Sequence, residues 1–412
     1  MTRNVIVGQS GGPTAVINST LCGVYETAKA LGAKIVYGMV HGIEGLINGE
    51  YINMSDYLKT EEDLELLKRT PSAYLGSCRY KLPRMSDSPQ VFKDIFETLK
   101  KLDIGYFFYI GGNDSMDTID QLSRYARETD SSIKFIGVPK TVDNDLVLID
   151  HTPGFGSAAK FIATATKEVI RDNRVNDIDA VTIIEVMGRD AGWLTGSTAI
   201  CRGDDSDGPD FIYLPEIPFD IDEFLESISK KQKEKRSIVV AVSEGIKTKD
   251  GKYVCDYSSS SRGIDAFGHK QLTGTARVLG DIVAEKTNNK VRAIEFSSLQ
   301  RCAAHIMSKT DMEEAYLVGK AAVEAANDGY TGKFVSIKRL GNDPYGVTTE
   351  LVDVSAVANL KKDVPRNWIN EEGNYVTDEF IEYVLPLIQG EVEQFYYRGT
   401  PKHIPSFDPS KQ

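Results

Sequence analysis

Between residues 105 and 145 the chain runs through an apolar stretch, a double glycine, an amphipathic segment and a second apolar stretch, an order that few folds accommodate. Tyr106-Phe107-Phe108-Tyr109-Ile110 enters Gly111-Gly112-Asn113-Asp114-Ser115. A helical pattern follows, and Lys134-Phe135-Ile136-Gly137-Val138 then delivers Pro139-Lys140-Thr141-Val142-Asp143-Asn144-Asp145. Apolar runs separated by a helix-length amphipathic segment form a βαβ unit, and such units build parallel sheets. Both polar clusters then cap the carboxyl ends of strands, the edge at which open α/β sheets bind ligands.

The two caps differ in chemistry. Gly111 and Gly112 are expected to supply positive φ and close backbone approach, so that the amides opening the next helix can face an anion. A carboxylate at that spot, Asp114, needs a cation, a metal or a donor beside it, or else excludes a group that would otherwise bind. The second cap sets Lys140 beside Asp143 and Asp145, which suits a metal-phosphate reaction needing both a cation and a base. Asp and Asn also make ordinary surface turns, but two such caps on neighbouring strands argue for chemistry.

With 412 residues, 41% of them hydrophobic, the chain can bury substantial cores, and its length predicts two or three domains. No stretch approaches the roughly 20 apolar residues that span a bilayer, and the amino terminus lacks a signal pattern, so a soluble protein is expected. Cys22, Cys78, Cys201, Cys255 and Cys302 are odd in number, scattered and without a CxxC pair, which points to a reducing cytoplasm. A net charge of −12 argues against nucleic acid or an anionic membrane as partner. An anionic substrate would therefore need local Arg and Lys residues.

Val5-Ile6-Val7 leads into Gly8-Gln9-Ser10-Gly11-Gly12, a strand and glycine turn whose amides can cradle a phosphate where the next helix starts. Ile35-Val36-Tyr37 reads as the second strand, followed by a glycine-rich loop from Gly38 to Gly49. Arg79 lies in a polar loop and can reach a phosphate as a charged fork, although a lone loop arginine is commonly solvated. Gly154-Phe155-Gly156-Ser157-Ala158-Ala159 superficially matches a dinucleotide fingerprint, but Asp150 to Pro153 interrupts the strand that fingerprint requires. A helix start capped at Ser157 is expected there instead.

Three further β-branched runs end in charged groups. Val181 to Ile184 delivers Met187-Gly188-Arg189, Ser237 to Val242 delivers Ser243-Glu244-Gly245, and Val291 to Phe296 leads into Ser298-Leu299-Gln300-Arg301. Several carboxyl-terminal loops thus converge on one polar substrate. Arg189, Arg292 and Arg301 can clamp a sugar phosphate, and Glu244 can accept hydrogen bonds from hydroxyls. The basic run from Lys230 to Arg236 reads as a solvated helix end, and the proline-punctuated stretch after residue 330 as an elaboration ending in a loose tail.

Taken together and in this order, these motifs resemble the phosphofructokinase family over roughly residues 3 to 330. The family phosphorylates the 1-hydroxyl of fructose 6-phosphate. The resemblance implies two Rossmann-like three-layer α/β/α domains with mostly parallel sheets and the active site in the cleft between them. Residues 1–145 would form the phosphoryl-donor domain and 146–300 the sugar-phosphate domain, with 301–412 returning to the donor domain and carrying an extension. Asp114 and Lys140 stand where ATP-dependent members typically carry glycine, which resembles the diphosphate-dependent branch. By that resemblance Asp114 fills the space the nucleotide needs and Lys140 contacts the transferring phosphoryl group. A nucleotide α-phosphate would be repelled by the carboxylate in a low-dielectric cleft, whereas inorganic diphosphate has none to place there.

The same resemblance makes Asp143 the general base and puts diphosphate against Gly12 and Arg79. It gives the sugar phosphate to Thr141, Val142, Asp143, Met187, Gly188, Arg189, Glu244, Ser298 and Arg301. Arg292 would be lent to a neighbouring subunit's site, implying a homodimer or a larger homo-oligomer. Magnesium is the implied cofactor, yet Asn113 replaces a common Asp and is a poorer ligand for a hard cation, so the ion is expected mainly on diphosphate oxygens, with Asn113 or Asp145 acting through water. Ser298 stands where many members have His or Tyr, and effector-binding arginines would fall near Cys22 and Glu26, so no nucleotide regulation is expected. An ATP-dependent enzyme and a catalytically inactive binding subunit are the alternatives.

Overall fold

The computed structural model describes residues 1–175, 177–257, 272 and 274–407. Two sheets organise them. The first contains seven strands: β1 (Asn4–Gln9), β2 (Val36–Met39), β3 (Tyr51–Asn53), β4 (Ile104–Gly111) and β5 (Lys134–Pro139), followed by two late strands. The second contains β6 (Ala180–Val186), β7 (Phe211–Tyr213), β8 (Ser237–Ser243) and β9 (Lys290–Glu295). The late strands, β10 (Lys333–Asn342) and β11 (Tyr345–Asp353), form an antiparallel hairpin that joins the first sheet beside β5.

The spatial order of the first sheet is β11-β10-β5-β4-β1-β2-β3, and the second runs β7-β8-β6-β9. Every neighbouring pair is parallel except β10/β11 and β2/β3. The molecule is thus two Rossmann-like units with mostly parallel sheets. Continuously buried runs such as Phe107 to Ile110 and Val181 to Ile184 make these strands because both of their faces are covered. The helices Ile17–Ala30 and Lys309–Asn327 cross where Gly23 and Gly319 bring their backbones together; a methyl group on Gly319 would lie 2.2 Å from the Thr20 carbonyl. No helix among the described residues is long and apolar enough to cross a membrane.

The carboxyl-terminal segment departs from expectation in two respects. The stretch after residue 330 opens as a regular hairpin with Phe334, Val335 and Ile337 in the first core. Nor does the segment from residue 301 return only to the first unit, because Val364, Ile369, Val376, Phe380, Val384 and Leu387 pack in the second core. Trp193 stacks on Phe380 there, with ring centroids 5.9 Å apart. The chain then comes back, and Phe407 meets Tyr57 and Tyr74 of the first unit. The glycine-rich loop after β2 also holds more order than expected, with a short helix, Gly42–Ile47, ahead of β3.

Candidate active site

A cavity of about 440 Å³ lies between the two sheets and is lined by residues that follow six strands. The turn after β1 gives Ser10 to Gly12, that after β4 Gly112 to Ser115, and that after β5 Lys140 to Asp143 with Asp145. The loop after β6 supplies Met187 to Ala191, and β8 supplies Glu244. Arg301 follows β9, and Arg79 enters from its loop. Parallel strands all present their carboxyl ends on one side, so residues far apart in sequence meet by topology rather than by local pattern.

Gly11 has φ +75°, the left-handed region in which glycine is favoured, and a methyl group there would come within 3.3 Å of Lys140 Nζ. Lys140 donates to the Gly12 carbonyl at 2.6 Å. Gly111 and Gly112 work differently from expectation. Neither has positive φ; Gly112 caps the helix Asn113–Glu128 at φ −93°, and the Ser115 side chain fills the space of a Gly111 side chain. Asp114 sits in the first turn of that helix and faces the cavity. Near the positive end of the helix dipole a carboxylate is favoured.

Thr141 shapes the second turn. Its hydroxyl accepts from the Asp143 amide at 3.1 Å and lies 3.4 Å from Asp143 Oδ2, fixing the carboxylate that faces the cavity. Asn144 has φ +54°, and its Nδ2 donates to the Tyr383 hydroxyl at 3.0 Å while its Oδ1 accepts from the Thr152 amide at 3.1 Å. Burial raises the Asp143 carboxyl, against the opposing pull of Lys140, Arg189 and Arg301. Asp145 is pushed up to about 7 by burial and by Asp143. Burial also carries Glu244 up to about 8, so near neutral pH it can donate as well as accept a hydrogen bond. Lys140 is drawn down to about 8 by burial, with Asp143 pulling the other way.

The cavity therefore brings a raised carboxyl, a buried ammonium and several guanidinium groups to one place. Arg189 Nε is buried with no hydrogen-bond partner among the described residues, and so is Asn113 Oδ1. Such an array suits transfer of a group with several negative oxygens to a hydroxyl. A sequence model described as phosphofructokinase matches residues 4–326. The chain belongs to the phosphofructokinase family.

Among relatives, the pyrophosphate–fructose 6-phosphate 1-phosphotransferase of Halomonas elongata is 39% identical over 97% of this chain and 95% of its own length. The protein of that name from Rhodospirillum rubrum is 40% identical over 93% and 94%. The crystal structure of pyrophosphate-dependent phosphofructokinase from Nitrosospira multiformis is 36% identical with a TM-score of 0.87, covering 98% of this chain and 96% of that one.

Most of the residues singled out from sequence line the phosphofructokinase cleft: Gly12, Arg79, Asn113, Asp114, Lys140, Thr141, Asp143, Asp145, Met187, Gly188, Arg189, Glu244 and Arg301. Val142 borders it, but its side chain belongs to the second core, leaving the backbone to meet a substrate. Arg292 and Ser298 are not among the lining residues. Arg292 lies in the middle of β9, short of its carboxyl end, and pairs with Asp172 at 2.5 Å, so it cannot clamp a ligand in its own cleft. Ser298 instead precedes the short helix Leu299–Cys302, where its side chain makes no capping bond.

Ser157 does not cap its helix, which starts at Phe155 behind Gly154, where φ is +110°; Asp311 accepts from the Ser157 and Gly154 amides at 2.9 and 2.8 Å in place of a local cap. Three lining residues, Asn359, Leu360 and Lys361, were not foreseen, because no motif surrounds them.

Proposed function

We propose that this protein transfers a phosphoryl group from inorganic diphosphate to the 1-hydroxyl of fructose 6-phosphate, giving fructose 1,6-bisphosphate and phosphate. The observation that carries this reading is that Asp114 and Lys140 face the same cavity as Asp143. Asp143 takes the proton from the 1-hydroxyl as its oxygen attacks the terminal phosphorus of diphosphate. Lys140, held against the Gly12 carbonyl at 2.6 Å, offers a point charge to the phosphoryl oxygens as the bond to the leaving phosphate breaks. Asp114 denies a nucleotide's α-phosphate the same space. Arg189 and Arg301 hold the sugar phosphate, and Glu244 meets its hydroxyls. One phosphoanhydride is exchanged for one phosphate ester, so the same residues run the reaction in both directions.

Magnesium is part of this reading. No group of three or more His, Cys, Asp or Glu residues spaced to hold a metal occurs among the described residues, whereas the partnerless, buried Asn113 Oδ1 and the raised Asp145 carboxyl both gain from a nearby cation. Magnesium carried by diphosphate would be held by Asn113 or Asp145 through water and would neutralise charge on the donor. Assembly into a homodimer or larger homo-oligomer also belongs to the proposal, supported by Arg292, half-exposed on the edge strand β9 and outside its own cleft.

The test is to incubate the purified protein with fructose 6-phosphate, magnesium and diphosphate and to measure fructose 1,6-bisphosphate. The reverse direction starts from the bisphosphate and phosphate. Turnover with ATP but none with diphosphate would overturn the proposal.

A further inference from the structure

After the hairpin, the chain crosses from the first core, where Val357 packs, to the second, where Val364 packs. The crossing strap is pinned to the loops that build the active site. Asn359 Nδ2 donates to Asp117 Oδ1 at 3.1 Å, on the helix that carries Asp114. The Lys362 amide donates to the Asp145 carbonyl at 2.7 Å, and Lys362 Nζ to the Asp150 carbonyl at 2.7 Å. On the opposite wall, Lys361 Nζ donates to the Asp190 carbonyl at 3.0 Å, next to Arg189. Trp193 Nε1 donates to the Lys362 carbonyl at 2.9 Å. Five hydrogen-bonding groups thus fix a stretch of irregular chain over the cleft, and Asn359, Leu360 and Lys361 line it.

We propose that Lys361 is a further substrate-binding residue, its ammonium contacting a phosphoryl oxygen of a bound substrate; this rests on the function proposed above. The ion pair of Lys361 with Asp363, at 2.9 Å, joins two half-exposed side chains and contributes little to stability, so it does not account for a lysine held at this place. An ammonium has three donors. Among the described residues the Asp190 carbonyl and Asp363 take two of them. The cavity otherwise holds four cations, Arg79, Lys140, Arg189 and Arg301. Two substrates that each carry several negative charges gain from a fifth. The anchor at Asp190 puts the ammonium on the sugar-phosphate wall, and the anchor at Asp117 puts the strap over the donor wall, so the strap borders both.

Replacing Lys361 by Met in the full-length protein tests this. Calorimetric binding of fructose 6-phosphate and of diphosphate is measured alongside initial rates. The expected result is a loss of about tenfold or more in affinity, and the matching rise in KM, for one of the two, as one charge-assisted hydrogen bond is removed. Loss confined to fructose 6-phosphate assigns the ammonium to the sugar phosphate; loss confined to diphosphate assigns it to the donor. Lys361→Arg should recover most of the affinity. Asp363→Asn, which breaks the ion pair and keeps the ammonium, should leave both affinities unchanged. Lys361→Met affinities for both ligands within about twofold of wild type would overturn the proposal, as would an equal loss in Asp363→Asn. Wild-type turnover with diphosphate, measured in the same series, reports separately on the function itself.

Discussion

Replacing Lys140 by Met removes one positive charge from the centre of the cleft and keeps an unbranched side chain of similar length. Lys140 is 2% exposed and donates to the Gly12 carbonyl, 2.6 Å away. At an effective dielectric of about 20, a unit charge about 4 Å from a phosphoryl oxygen contributes about 4 kcal/mol. Removing one donor aimed at developing charge in an active site costs about 2.7–4 kcal/mol, or about 10²–10³ in kcat. The two figures agree, so the variant should lose about 10²–10³ in kcat with diphosphate while the KM for fructose 6-phosphate holds. Its melting temperature should not fall, because the desolvation cost of the ammonium goes with it. The ammonium acts only when charged, and burial has drawn it down to about 8. In the wild type, kcat/KM for diphosphate, which reports the free enzyme, should therefore fall as pH rises through about 8, and this limb should be missing in the variant. Steady-state rates of bisphosphate formation read both effects. A folded Lys140→Met protein retaining more than about a tenth of wild-type kcat would refute the reasoning.

Asp143→Asn should lower kcat by about 10²–10⁴ with calorimetric affinity for fructose 6-phosphate preserved; a near-normal rate would remove Asp143 from the role of base. Phe380→Ala empties a fully buried site stacked on Trp193 and should destabilise the fold by about 3–5 kcal/mol in urea titration. His151 is buried between Asp150 and Glu314, at 2.7 and 2.5 Å. Burial alone would lower its pKa, but Glu314 and Asp150 overcome this and raise it. The stability it adds is present in full below its unfolded value near 6.5 and is lost as pH rises through the raised folded value. His151→Gln should accordingly cost more stability at pH 6 than at pH 9, as judged by unfolding midpoints, and an equal cost at both would contradict the buried ion triad.

The parts legible in sequence are those whose signal is local. Phe107 to Gly112 and Phe135 to Asp143 announce a strand and its active turn because fully buried parallel strands read as unbroken apolar runs ending in glycine and polar residues. Arg292 misled for a related reason: a charged residue inside a strand gives no hint of whether it reaches its own cleft, which depends on distance from the strand's end. Positive φ is the usual explanation for a double glycine, whereas Gly111 serves to admit Ser115. The strap was invisible because Lys361 meets Asp190 across 171 residues of sequence, and its neighbours Asn359, Leu360 and Lys362 form no motif. The hairpin of β10 and β11 was hidden by its own geometry. Phe334 to Ile337 is buried as the strand joins the sheet, but Lys338 to Asn342 runs partly exposed past the core, so neither alternation nor a continuous apolar run extends through it.

The central claim is that Asp114 and Lys140 make the cleft accept a bare inorganic donor. It is tested most directly by kcat/KM for diphosphate and for ATP, each with saturating fructose 6-phosphate and magnesium, on the wild type and on Asp114→Gly. The account predicts a wild type that uses diphosphate with little or no ATP turnover, and a variant whose preference shifts toward ATP. A wild type that prefers ATP, or an Asp114→Gly variant with an unchanged donor ratio, would contradict it.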